Sequence, residues 1–314
     1  MKRITLIVLV AALCLAWGCK KDSTTSSKPS LLGLSLSQSV APYQAVGSPL
    51  SIQVLFDKLY TSDKSKPSAA ISLQYQVNGE KAVVLTENYK ESNPPLVYTP
   101  DKAGSYTIKF SAISADNNYY NATISASFTA LDTDESLKGL VGTTRVIDGK
   151  NILVMTTESL SWFAQNLYGT ASGQVYNLSP VTEKLFGKYY SWEEASSACP
   201  SGWRLPTAAE FDALGTSAPD LMAQVSFLDK EMWTYWPGMT PTNAKGFNAI
   251  PAGYLDRSKI DTDSVSGYGH YAAYWTSDTE GDLACYRYIQ EDNPLVQKGL
   301  GSKTSLALSV RCVR

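Results

Sequence analysis

The sequence predicts two unlike domains, an all-β sandwich followed by an α+β domain. Between residues 31 and 130 apolar side chains recur with period two, broken by Gly, Pro, Asn and Ser clusters, which is the pattern of half-buried strands. Between residues 141 and 314 that rhythm gives way to two capped helices followed by aromatic and glycine-rich segments. Composition shifts at the same place. Past the first 19 residues, every tryptophan (Trp162, Trp192, Trp203, Trp233, Trp236, Trp275) and every cysteine lies beyond residue 160. A chain of 314 residues is long enough to bury two separate cores.

At the N-terminus, Lys2 and Arg3 precede an unbroken apolar run from Ile4 to Trp17, the layout of an export signal. As a helix the run would reach only about 21 Å, short of the ~30 Å hydrocarbon core, which favours a signal over a permanent span. It ends in Ala16-Trp17-Gly18-Cys19, which resembles the lipobox of bacterial lipoproteins in the looser form seen in the Bacteroidota. The resemblance implies that residues 1–18 are removed and that Cys19 carries the lipid. An ordinary signal with a chance cysteine is the alternative. Cys14 is the other candidate, but it follows a large Leu13 inside the apolar run. Residues 19–30, with KKDSTTSSKPS after the cysteine, are small and polar and read as a flexible tether. The expected location is outside the cytoplasm, anchored by lipid to the outer membrane on its periplasmic side or at the cell surface.

Without Lys2 and Arg3 the chain holds 25 basic and 29 acidic side chains, a net charge of −4, and no basic cluster beyond Lys20 and Lys21. Nucleic acid is therefore not an expected partner.

In the first domain, residues 31–130, the alternating sets are Ile52, Val54, Phe56; Ile71, Leu73, Tyr75, Val77; Tyr106, Ile108, Phe110, Ala112; and Ala122, Ile124, Ala126, Phe128. Asn78-Gly79 tolerates positive φ at both positions of a type I′ turn, which predicts a hairpin over residues 71–85. The stretch YTPDKAGSYTIKFSA, with Asp101, Gly104 and Tyr106, resembles PKD and immunoglobulin-like sandwiches, in which such a segment turns a corner into a late strand. That resemblance implies a fold and the role of spacer or docking module. Residues 131–140 read as a linker.

In the second domain, residues 141–314, Ser191 with Glu194 and Thr207 with Glu210 each fit the capping box, with Pro200 and Gly215 ending the two helices. The segments WFAQNLYG, YYSWEEASSACPSGWRLPTAAEFDAL, YWTSDTEGDLACYRYI and the terminal LSVRCVR together resemble the Fibrobacter succinogenes major paralogous domain in order and spacing. The resemblance implies an α+β fold of the C-type-lectin-like and formylglycine-generating kind. It also implies a disulfide from Cys199, in the first helix, to Cys312, in the last strand. Cys285 is left over and reads as a buried, unreactive thiol.

Three kinds of function compete on the residues. An enzyme needs a nucleophile with a base, or paired carboxylates. His270 is the one histidine, and Ser266 and Tyr268 beside it make no catalytic constellation. Formylglycine-generating enzymes use a cysteine pair near the end of the fold, and here a disulfide would occupy Cys312. Calcium is a weak possibility: Asp256, Asp261 and Asp263 share one loop, with Asp261 and Asp263 the candidate ligands, and Glu280, Asp282, Glu291 and Asp292 follow. Their spacing fits no EF-hand, and the Glu-Pro-Asn, Gln-Pro-Asp and Trp-Asn-Asp triplets of calcium-dependent sugar binding do not occur. No other cofactor is expected. The aromatics Trp233, Tyr235, Trp236, Tyr254, Tyr268, Tyr271, Tyr274 and Trp275 either fill the interior or offer stacking surface; the candidate ligand-binding residues are Trp233, Trp236, Tyr271 and Trp275. The expectation is a non-catalytic, lectin-like module that binds a glycan or a surface protein. The alternatives are an enzyme of the formylglycine-generating type and a purely structural envelope protein.

Overall fold

The computed structural model describes residues 28–314, apart from 65, 66, 68, 91, 235–238 and 260–262. The export signal, Cys14, Cys19 and most of the tether lie outside the described residues, as do Trp236, Tyr235 and Asp261. The chain is β-rich, and its α-helices run only four to seven residues. Among the described residues no helix is long and apolar enough to cross a membrane.

The N-terminal part holds β1 (Leu31–Leu36), β2 (Tyr43–Ala45), β3 (Leu50–Ile52), β4 (Val54–Thr61), β5 (Ile71–Val77), β6 (Val83–Thr86), β7 (Leu96–Tyr98), β8 (Gly104–Ser114) and β9 (Ala122–Leu131). A five-stranded sheet in the order β2-β9-β8-β5-β6 faces the pairs β1-β4 and β3-β7. Only β2-β9 is parallel. Between β3 and β4 lies the single residue Gln53, so Ile52, Val54 and Phe56 stay buried while the chain changes pairing partner. Leu50, Ile52 and Val54 share one core with Leu73, Ile108, Phe110 and Phe128 of the larger sheet. Alternation in β8 is strict: Tyr106, Ile108, Phe110 and Ala112 are all buried, with exposed or half-buried residues between them.

Asn78 (φ 49°) and Gly79 (φ 78°) both take the left-handed conformation, and the Glu80 amide donates to the Val77 carbonyl at 2.9 Å. The hairpin is therefore where the sequence placed it, although β6 rejoins the ladder only at Val83. At the corner before β8 the Tyr106 hydroxyl donates to the Lys102 carbonyl at 3.0 Å and reaches Asp101 Oδ1 at 3.2 Å. A tyrosine tied back to the backbone just upstream pins that turn.

The connection between the two halves is packed. β9 runs on to Leu131, which is buried in the core of the C-terminal half, and Leu137 and Leu140 pack against that same core. The Lys138 amide donates to the Ser226 carbonyl at 3.0 Å. Three leucines in ten residues give residues 131–140 apolar surface to bury, which a free linker lacks. Tyr43 on β2 adds to the contact: its amide donates to Ser179 Oγ at 3.1 Å and its ring meets Phe227 edge-on at 5.5 Å. At the other end, Pro29 and Ser30, read as tether, already pair with Tyr120.

The C-terminal half opens with a meander of β10 (Thr143–Ile147), β11 (Lys150–Thr156) and β12 (Ser161–Phe163). Four short helices follow: α1 (Glu183–Phe186), α2 (Trp192–Ala198), α3 (Ala208–Asp212) and α4 (Ala218–Leu221). Both capping boxes form, Ser191 with Glu194 and Thr207 with Glu210. β13 (Ser226–Phe227) and β14 (Lys230–Glu231) make a small hairpin. β15 (Leu255–Asp256) leads into the antiparallel sheet of β16 (Tyr271–Glu280), β17 (Leu283–Gln290) and β18 (Gln297–Ser302), and β19 (Leu306–Ala307) returns to pair with β15. The last residues thread the middle. Leu308 pairs with Tyr190, the Ser309 amide donates to Ala273, and the Phe163 and Leu167 amides donate to Cys312 and Val310. The terminal LSVRCVR is thus a central strut gripped on one side by WFAQNL and on the other by β16.

Candidate ligand-binding site

A cleft of about 390 Å³ lies over one face of the β16-β17-β18 sheet, within the size range of small-molecule sites. Side chains alternate across a strand, so the pairings Tyr271↔Gln290, Ala273↔Tyr288, Trp275↔Tyr286 and Tyr286↔Gly299 put these residues on one face. Cys285, Arg287 and Ile289 take the other. Tyr271 stacks on Tyr288 with ring centroids 5.0 Å apart at 25°, and Tyr286 tilts against Tyr288 at 5.7 Å and 39°. Tyr254, just before β15, stands edge-on to Tyr271 at 5.3 Å and 64°. Leu306 and Leu308 close the apolar side of the cleft.

The shelf depends on a glycine. A Cβ on Gly299 would sit 2.2 Å from the Cζ of Tyr286, so the ring lies directly over the backbone of β18. Trp275 supports Tyr286 from beneath, edge-on at 5.8 Å and 86°, and donates its indole N–H to the Tyr190 carbonyl at 2.7 Å. Burial pushes the Tyr271 and Tyr286 hydroxyls above the usual tyrosine range, and the two hydroxyls are hydrogen-bonded to each other.

The rim is polar. His270 Nδ1 lies 3.1 Å from Glu291 Oε1, with the histidine half exposed and the glutamate largely covered. Gln290 stands next to Glu291 on the cleft wall. Amide, carboxylate and imidazole together supply donors and acceptors beside an aromatic floor.

The profile of the Fibrobacter succinogenes major domain matches residues 141–314, more than half of the chain. The chain belongs to this family. In this Fibrobacter succinogenes major domain the matched region begins just before β10 and takes in the whole cleft. No curated protein matches the chain. A solved structure of the Yersinia pseudotuberculosis adhesin InvE aligns over 90% of this chain and 70% of that one, at 10% identity and a TM-score of 0.24. A likeness that slight carries no argument.

Of the sequence candidates, Tyr271 lies in the cleft. Trp233 and Trp275 are core residues instead, 4% and 0% exposed; the Trp233 indole donates to the Ala249 carbonyl at 3.2 Å. Neither offers a ring face to a ligand, because each sits where apolar burial and an indole hydrogen bond are both satisfied. Tyr268 and Tyr274 also pack inward, Tyr268 against Tyr176 and Phe186. Of the acidic residues in the candidate calcium loop that are described, Asp263 accepts from Gln174 Nε2 at 2.9 Å, and Asp256 accepts from the Ser258 amide and hydroxyl. Among the described residues no three His, Cys, Asp or Glu side chains converge as a metal site would require.

The sequence reading does not single out Tyr286, which lines the cleft, or Tyr288, which packs against Tyr271 and Tyr286. The signal was present in ACYRYI, where Tyr-x-Tyr at period two puts both rings on one face, and in KGLGS, where Gly299 and Gly301 clear the strand opposite.

The Cys199–Cys312 disulfide links the end of α2 to the terminal strut with Cα atoms 5.9 Å apart. Cys285 is half-buried rather than buried, although it shares a face of β17 with the buried Arg287 and Ile289; desolvation raises its thiol pKa, which disfavours the thiolate.

Proposed function

We propose that this chain is an exported, lipid-anchored binding protein whose C-terminal domain holds its ligand, a glycan or a surface protein, in the tyrosine cleft of β16-β17-β18. In this reading Cys19 carries the lipid, the N-terminal sandwich spaces the binding domain from the outer membrane, and the C-terminal domain works as a non-catalytic, lectin-like module. One observation carries the proposal: the cleft tyrosines Tyr271 and Tyr286, backed by Tyr288, are half-exposed and bordered by hydrogen-bonding groups, whereas most large aromatics elsewhere in the domain are buried.

Binding is preferred over catalysis on the make-up of the same cleft. Its acid-base pair is His270 with Glu291, and the lining residues bring no serine, threonine or cysteine to that pair. Cys285 projects from the opposite face of β17.

The test is a binding screen of the purified protein against glycan arrays and whole bacterial and host cell surfaces, comparing wild type with Tyr271→Ala and Tyr286→Ala. Binding that disappears in both variants while the fold survives supports the proposal. Binding that both variants retain places the ligand elsewhere. A substrate turned over by the protein would favour an enzyme.

A further inference from the structure

We infer that the ligand of the tyrosine cleft is a saccharide, held by its C–H face on Tyr286 and by its hydroxyls on Gln290 and Glu291, without a bridging metal ion. This deepens the binding reading above and rests on it.

The shape of the aromatic surface comes first. Tyr271 stacks on Tyr288 at 25°, and Tyr286, tilted from Tyr288 by 39°, lies over Gly299, so the half-buried Tyr286 ring is the shelf that lines the cleft. A flat shelf suits the flat, weakly polar C–H face of a pyranose ring. A quaternary ammonium ion asks for something different, ring faces converging on one point from several sides. Here the Tyr271 face is already covered by Tyr288, and Tyr254 meets Tyr271 through an edge contact at 64°.

The polar rim comes second. A sugar hydroxyl both donates and accepts, and needs mixed partners close to the stacking surface. Gln290 provides a carbonyl and an amide, Glu291 a carboxylate, and Tyr286 a hydroxyl, with the Tyr271 hydroxyl bonded to that of Tyr286. Glu291 is already partnered by His270, so its acceptor geometry is fixed before a ligand arrives. A carboxylate at the rim also disfavours an anionic ligand.

Third, the shelf is built at a cost to sequence freedom. Gly299 must lack a Cβ for Tyr286 to lie over β18, and a Cβ on Gly301 would meet Leu306 Cδ2 at 2.4 Å and the Trp275 and Tyr286 rings at 3.3 and 3.4 Å. Among the described carboxylates of the neighbouring loop, Asp256 is engaged by Ser258 and Lys259 and Asp263 by Gln174. The groups that line the cleft are thus arranged for hydroxyls, and a metal-bridged sugar would need ligands that this rim does not gather.

The experiment uses the purified full-length protein in detergent and saturation-transfer NMR with titration of neutral hexoses, N-acetylhexosamines and their disaccharides. Tetramethylammonium and a short acetylated peptide are the comparison probes, and each titration is run with EDTA and with calcium. At least one saccharide is expected to bind, with affinity unchanged by EDTA and reduced tenfold or more in Tyr286→Ala and Glu291→Gln. Gly299→Ala, which displaces the ring without deleting it, should weaken binding as well and covers the case in which Tyr286→Ala fails to fold. Cleft-dependent binding of tetramethylammonium or peptide without any saccharide overturns the saccharide assignment and leaves the binding reading standing. Loss of saccharide binding in EDTA overturns the metal-free mode. Saccharide binding that ignores all three substitutions overturns the site, and no cleft-dependent binding of any probe overturns the binding reading itself.

Discussion

Arg311 Nε donates to Asn166 Oδ1 at 2.9 Å in the buried centre of the C-terminal domain. The guanidinium is completely buried, and its other N–H groups reach the carbonyls of Phe163, Phe247 and Asn248 at 2.7 to 3.1 Å. Phe247 and Tyr274 present their rings to it at 4.7 and 5.2 Å. Asn166 in turn donates to the Phe186 carbonyl and to Ser309 Oγ. A buried cation held by carbonyls and aromatic faces is how the terminal SVRCVR segment is locked to the WFAQNL segment nearly 150 residues earlier.

Arg311→Met should therefore destabilise the domain by more than about 3 kcal/mol, because several buried carbonyls lose their donor at once. Arg311→Lys should fare little better, since an ammonium cannot reproduce the planar fork of donors. Asn166→Ala should cost about 1–3 kcal/mol. Denaturant unfolding of the three variants measures all of these.

Reduction of Cys199–Cys312 should lower stability by about 2–5 kcal/mol, since the bridge closes a loop of 113 residues. Cys285→Ser, on a half-buried face, should change stability by less than about 1 kcal/mol. Thermal unfolding with and without reductant separates the two, and disulfide mapping should find Cys285 unpaired.

The surface carboxylates set an acid response. The Arg287 guanidinium, with Lys298 beside it, pulls the Asp212 carboxyl down to about 2, and Arg204 does the same for Glu210. Both groups are easier to ionise in the folded state than in the unfolded one, so their contribution is fully present above the ordinary carboxylate range. It is lost as pH falls from about 4 towards 2. Asp212→Asn should make acid unfolding shallower over that interval. At 36% side-chain exposure, solvent screening keeps the change to about 1 kcal/mol or less.

Much of this was legible in the sequence because it is local. Period-two alternation found β8 and β9, Asn78-Gly79 found the hairpin turn, and the capping pairs found α2 and α3, each a matter of residues within a few positions of one another. What the sequence did not disclose depends on distant pairings. Nothing near Trp275 says that Tyr190 will supply its carbonyl, so an interior residue read as a stacking candidate. Tyr286 becomes a surface only because Gly299, on another strand, lets its ring lie flat. Leu131, Leu137 and Leu140 read as linker because the core that receives them is assembled from residues far along the chain.

That packed connection also makes a prediction. Tyr43→Ala removes the ring contacts to Phe227 and Tyr176, at 5.5 and 6.0 Å, that help fasten the N-terminal sheet to the C-terminal core. It should cost about 1–3 kcal/mol and expose residues 131–140 to protease, read by limited proteolysis with mass analysis of the fragments.

The most direct measurement is the affinity of any ligand found for the full-length protein, compared between wild type and Gly299→Ala, with circular dichroism confirming an unchanged fold. A tenfold or greater loss is expected, because the new Cβ lifts Tyr286 off β18 without deleting any cleft side chain. Equal affinity in the two proteins would contradict the tyrosine shelf as the binding surface.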